Sequence, residues 1–374
     1  MNGTIRVGNL WGIPFYIHPS WFLVLGLVTW SYSGGLAAQF PQLDGGLALV
    51  LGLLTALLLF ASVVAHELGH SFVALRQGIE VKSITLFIFG GLASLEKESE
   101  TPADAFWVAI AGPLVSLLLF ATTTAIGFAT TISSPLGAIL NLLASVNLAL
   151  ALFNLIPGLP LDGGNILKAL VWKITGKPYK GVLFASRIGQ LFGWVAVIYG
   201  LLPLIVYGSF ANAWYGLIGF FLLQNAGSSA QFGRVQEQLI GLTAGDVVTA
   251  NSPIISASLT LREFADQQVV SDNNWRRFLV TDDEGQLIGA IAVNELQNVP
   301  TAQWTETQVR DIMRPNTLST TVQCDRPLLE VVQLLEQQQL SSLPVIRDNG
   351  VLVGILEKTE IVQLIKRRSQ LNPA

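Results

Sequence analysis

The chain has 374 residues, of which 51% are apolar and only 12% charged, with a formal net charge of −4. Soluble domains carry about 25% charged residues, so a wholly soluble globule is excluded, and so weak a net charge argues against a nucleic-acid partner. The single cysteine, Cys324, excludes an internal disulfide and leaves histidine and carboxylate as the ligands of any metal site.

In chain order, the opening MNGTIRVGNLWGIPFYIHPSW lacks the charged start and cleavable apolar core of a secretion signal, so the first apolar segment is expected to be retained. Six stretches are apolar enough for membrane spans: residues 20–33, 47–75, 105–130, 136–157, 186–206 and 210–224. Pro203 and Gly208 interrupt the run that holds the last two. On this topology the loops 34–46, 130–135 and 206–209 contain no Lys or Arg. All ten basic residues of the first 240 positions, among them Arg76, Lys82, Lys97 and Lys168, fall on the other side. Basic loops face the cytoplasm. The chain is therefore expected to be a multi-pass protein of a bacterial plasma membrane, or of an organelle membrane of bacterial descent, with both termini on the cytoplasmic side.

Within the second span lies the sequence VVAHELGHSF. His66 and His70 are four residues apart, hence on one helix face, where two imidazoles can share a metal ion. Glu67 lies about 100° around the helix, close to such a metal without binding it, and suited to take a proton from water. Ionisable groups inside a span are costly and usually functional. A third ligand is supplied best by Asp162, in FNLIPGLPLDGGNIL, where prolines and glycines break an apolar helix on the same side of the membrane. The alternative for Asp162 is the N-cap of the helix that follows. Glu80, Glu96, Glu98 and Glu100 read as a solvated face.

Together, H-E-x-x-H in one span and N-x-x-P-x-x-P-x-D-G-G at the end of another resemble the site-2 protease family of intramembrane zinc metalloproteases, peptidase family M50. The smaller stretches GIPFYIHPSW, FGG (89–91) and AGP (111–113) match as well, so that the resemblance covers about residues 5–230. It implies one zinc ion held by His66, His70 and Asp162, with Glu67 as general base and Asn154 beside the scissile carbonyl. It also implies a substrate-contacting strand region at Phe89, Gly90 and Gly91, read as two strands with Gly90-Gly91 as the turn. The substrates implied are membrane proteins cut within or near a transmembrane segment. The sequence departs from the family's pattern at Ser116 and Asn165, where family members commonly have Asn and Arg. His18 matches a family histidine but is explained as an interfacial helix start.

Residues 225–240 read as a linker, and 241–374 as a soluble domain with an internal repeat, units about 242–298 and 307–367. Gly289 and Gly354 are 65 residues apart, and so are Asp246 and Asp311. Each unit reads as alternating strands and helices and resembles one half of a cystathionine-β-synthase (CBS) domain pair. Such pairs dimerise and often bind adenine nucleotides, but Glu357, Glu360, Ala292 and Glu295 stand where the family's nucleotide-binding pattern has hydroxyl and Asp residues. The expected fold is thus a polytopic helical membrane domain (1–224) with about six transmembrane helices and a short β-hairpin near the site, followed by a soluble α/β CBS pair. The competing reading is a transporter or channel with a buried ionisable cluster, gated by CBS domains.

Overall fold

The computed structural model describes residues 3–88, 90–129, 134–249, 252–270, 276–315 and 320–371. Its contacts divide the chain into two units, Met1–Arg234 and Val235–Ala374.

The first unit opens with β1 (Ile5–Leu10), β2 (Ile13–Ile17), α1 (Ser20–Gln39) and α2 (Gly45–Arg76). It continues through β3 (Val81–Phe87), β4 (Gly90–Leu95), α3 (Pro102–Ala129) and α4 (Pro135–Asn154) to α5 (Asp162–Thr175), α6 (Pro178–Tyr207) and α7 (Ala213–Leu239). Local chemistry sets the helix starts. Asp44 caps α2 by accepting the Gly46 N–H at 2.8 Å. Ser134 caps α4 through the Gly137 N–H, with Pro135 in the first turn where no N–H is needed. Among the described residues, α1, α2, α3, α4 and α6 are long and apolar enough to cross a membrane. Large apolar side chains cover their outer faces: Trp30 is 79% exposed, Phe128 84% and Ile205 78%. The sixth expected span, 210–224, is the beginning of α7, which falls short of that apolarity. Its buried face is rich in small residues, Gly216, Gly219, Ala226, Ala230 and Gly233, beside Leu222, Gln236 and Leu239. α7 also continues to Leu239 through residues assigned above to a linker. Pro203 does not divide α6.

The four strands form one sheet, β1-β2-β3-β4, with β2 and β3 parallel and the outer pairs antiparallel. Ile13, Ile79, Val81 and Ile84 bury themselves against Ala74 near the end of α2, so the sheet sits next to the end of that helix that carries the histidines. β4 is left at the sheet's edge. Beyond α4 the chain turns through 155–161 and starts α5 at Asp162. Side chains at Gly163 and Gly164 would lie within 2.3 Å of the Leu155 carbonyl and the Leu159 nitrogen, so only glycine lets α5 start against that turn.

The second unit contains β5 (Ile254–Ser256), α8 (Leu261–Val270), β6 (Arg277–Thr281), β7 (Leu287–Ala292), α9 (Val309–Ile312) and β8 (Arg314–Pro315). It ends in β9 (Val322–Gln323), α10 (Leu328–Gln337), β10 (Ser342–Ile346), β11 (Leu352–Glu357) and α11 (Lys358–Leu371). Two sheets result, β5-β6-β7-β8 and β9-β10-β11. Leu279 and Ala290 of the first pack on Leu352 and Ile355 of the second. The repeats differ at their ends: α11 has 14 residues, whereas its counterpart is a 3-10 helix, Val293–Asn298.

Candidate active site

α2 brings His66 and His70 onto one buried face, and the α4–α5 turn brings Asp162 to them. His66 Nε2 lies 3.1 Å from Asp162 Oδ2, His70 Nε2 lies 3.3 Å from the same oxygen, and the two Nε2 atoms are 3.3 Å apart. A tetrahedral zinc with bonds of 2.0–2.1 Å places its ligand atoms about 3.3 Å from one another, so the triangle fits one such ion. No other His/Cys/Asp/Glu group among the described residues comes together in this way. Asp162 is the first residue of α5, and Leu161 occupies the cap position, so the N-cap alternative does not apply.

Both rings are fixed from behind. His70 Nδ1 is 2.6 Å from the Val108 carbonyl oxygen. A carbonyl only accepts, so Nδ1 carries a proton, which leaves Nε2 as the nitrogen able to ligate a metal. His66 Nδ1 is 2.9 Å from Ser116 Oγ, on α3. With both Nε2 atoms unprotonated, two imidazole lone pairs and a carboxylate oxygen would converge on one point, where a cation would stabilise them. These supports come from residues 38 and 50 positions away, and nothing in the pattern of residues around Val108 marks it as one of them. Ser116, noted above as a departure, is the other.

Glu67 lines the same cavity, of about 420 Å³, together with Gly91, Asn154, Asn165 and Lys168. Asn154 Nδ2 is 3.5 Å from His66 Nε2. Gly90 and Gly91 are not the hairpin turn: they begin β4 and pair with Phe87 and Leu86. Gly91 is in the strand because a side chain there would collide with Glu67, a Cβ standing 2.5 Å from Glu67 Cγ. Phe89 lies outside the described residues. Glu98 lies on an exposed face, as expected, and pairs there with Lys168 at 2.8 Å at the rim of the cavity. His18 is not part of the cluster; its Nδ1 bonds Ser20 Oγ at 2.8 Å.

In the second unit Glu295 accepts the Ala292 N–H at 2.9 Å and pairs with Arg314, so its carboxylate is already engaged by the protein.

Known proteins resemble this chain along nearly its whole length. The profile of Peptidase family M50 matches residues 54–133 and 123–196, and that of the CBS domain matches 244–299 and 309–367. A Synechocystis protein, sll0528, named as a candidate zinc metalloprotease, is 57% identical over 366 residues, covering 98% of this chain and 96% of its own. Rip3 of Mycobacterium tuberculosis, similarly named, is 31% identical over 372 residues, covering 98% and 93%. The solved site-2 protease of Methanocaldococcus jannaschii is 30% identical over 61% of this chain and 95% of its own, with a TM-score of 0.43. The chain belongs to peptidase family M50: it is a zinc metalloprotease of the site-2 type, built on apolar membrane helices and joined to a CBS pair.

Proposed function

We propose that this peptidase cleaves peptide bonds within or next to the transmembrane segments of membrane proteins, with His66, His70 and Asp162 as the zinc ligands and Glu67 as the base. The observation that carries the reading is the ligand triangle of 3.1, 3.3 and 3.3 Å with Glu67 on the same cavity. Bound zinc supplies a Lewis acid and makes water acidic enough to be deprotonated near neutral pH. Glu67 takes a proton from the attacking water and hands it to the leaving amide nitrogen as the C–N bond breaks, so water is added across the bond and Glu67 is restored. The Asn154 amide donates a hydrogen bond to the carbonyl oxygen as negative charge develops on it.

A helical substrate must be extended before it can be cut. The free edge of β4, with Gly91 against Glu67, offers a strand for it to pair with. Asn165 and Lys168 follow Asp162 on α5 and line the same cavity.

The basic loops support a cytoplasmic site and termini. α7 supports a sixth crossing although its composition is marginal. It lies antiparallel against α6, from Gly200 beside Gly216 to Val182 beside Gly233, so it returns across the thickness that α6 spans. The CBS pair is proposed to regulate the peptidase, as a dimerisation module or through an adenine nucleotide. In the first repeat a ribose would have to displace Arg314 from Glu295.

The test is cleavage of a single-span substrate by purified full chain beside Glu67→Gln. Wild type cuts, a chelator abolishes cleavage and added zinc restores it; Glu67→Gln keeps its zinc and loses at least 100-fold in rate. A wild-type chain that binds no metal overturns the ligand assignment.

A further inference from the structure

The reverse face of α2 carries a second cavity, of about 670 Å³, within the range of about 300–1,000 Å³ that small-molecule ligands fill. Leu68, Phe72 and Leu75 of α2 line it together with Val115 of α3 and Trp11 at the turn between β1 and β2. The only charged side chain among the lining residues is Arg76, at the end of α2.

Two features show that the groove is built. Trp11 has φ +49° and Gly12 has φ +85°. Trp11 and Gly12 form the two-residue loop of the β1–β2 hairpin, where positive φ at both positions is the usual geometry. The loop holds the indole, 79% exposed, out as one wall of the groove. The Arg76 guanidinium lies 4.5 Å from the centre of the Phe72 ring. That contact fixes its position, while no carboxylate pairs with it among the described residues.

We propose that this groove binds one anionic glycerophospholipid, its acyl chains along Leu68, Phe72 and Leu75 and its phosphate on Arg76. The apolar floor runs along a membrane helix, so hydrocarbon is what it meets. A cation at the helix end with no carboxylate partner among the described residues selects for net negative charge. Tryptophan is favoured at the depth of lipid headgroups, and the cytoplasmic leaflet, which the basic loops face, is the anionic one. The bound lipid lies directly behind the helical turn that presents His66, Glu67 and His70. The inference rests on α2 crossing the bilayer and not on the peptidase chemistry, so the two can fail separately.

The experiment uses the full chain in detergent, read by native mass spectrometry and by melting temperature. Phosphatidylglycerol and phosphatidylcholine with identical acyl chains are added in turn. Wild type retains phosphatidylglycerol and melts higher with it. Arg76→Gln loses the preference, with roughly tenfold weaker retention, one charge-assisted contact having been removed; Arg76→Lys restores part of it. Trp11→Asn suits the left-handed turn better than tryptophan, so it folds at least as well as wild type, and it weakens retention of both lipids. The proposal is overturned if wild type and Arg76→Gln retain both lipids equally, or if Trp11→Asn changes nothing. It is also overturned if a photo-crosslinker at Leu75, in membranes, captures a protein segment and no lipid, since the groove is then a protein-docking face.

Discussion

At Gly112 a Cβ would stand 2.2 Å from His70 Nε2 and 2.7 Å from His66 Nε2. At Gly91 it would stand 2.5 Å from Glu67 Cγ. The two glycines thus give room to different functions, and alanine separates them. Gly112→Ala should lose stoichiometric zinc, measured by metal analysis of the purified chain. Gly91→Ala should keep its zinc and lose turnover, because only the base is pushed aside. Ser116→Ala removes the partner of His66 Nδ1 and should weaken zinc binding by about 10- to 100-fold in a chelator competition. At this scale the pairing of His66 with His70, and Glu67 beside them, was legible from helical spacing, whereas Asp162 was picked out mostly by the resemblance of its proline- and glycine-broken motif to a known family. Val108 was not, since its role depends on how α3 lies against α2. Nor was the part played by Gly91, since a glycine pair between apolar strands reads as a turn until the neighbour that forbids a side chain is known.

Secondary-structure elements are locked together by small residues and by a few buried polar ones. Asn147 on α4 donates to Ser62 Oγ on α2 at 3.1 Å, one turn from His66. Asn147→Ala should cost about 0.6 kcal/mol, the average for hydrogen bonds between membrane helices, in a reversible unfolding titration. A side chain at Gly200 would come within 2.1 Å of the Gly216 nitrogen, so Gly200→Leu must force α6 and α7 apart, at about 1–3 kcal/mol or more. That seam is also why α7 was hard to read: the glycines and alanines that allow close packing lower the apolarity by which a span is recognised. The repeat in the second unit has an equally local meaning. Asp246 and Asp311, 65 residues apart, each accept the backbone N–H of the residue three before, at 2.8 and 2.9 Å. That bond from Thr243, with one from its hydroxyl, holds the Asp246 carboxyl below its ordinary value. A lowered folded-state value stabilises above the unfolded one, near pH 3.9, and the gain is lost as pH falls through the folded value. The melting-temperature gap between wild type and Asp246→Asn should be constant near neutral pH and close below about pH 4.

For the whole molecule, the compositional break near residue 240 is matched by the division of contacts at 234/235. Charge density carries that far because each solvent selects its own surface, and the exposed Trp30, Phe128 and Ile205 are what hydrocarbon permits. The chain's length also imposes an order of events. The histidines belong to α2, but the carboxylate that completes their triangle comes 96 residues after His66. At about 5–20 residues per second of synthesis, the pair waits roughly 5–20 s for its third partner. A nascent chain therefore passes through a stage with the two imidazoles and Glu67 in place but without Asp162. Assembly of the ribosome's product, and not metal supply alone, sets the moment at which the peptidase becomes able to cut, after α5 has docked and three helices have already entered the bilayer behind α1.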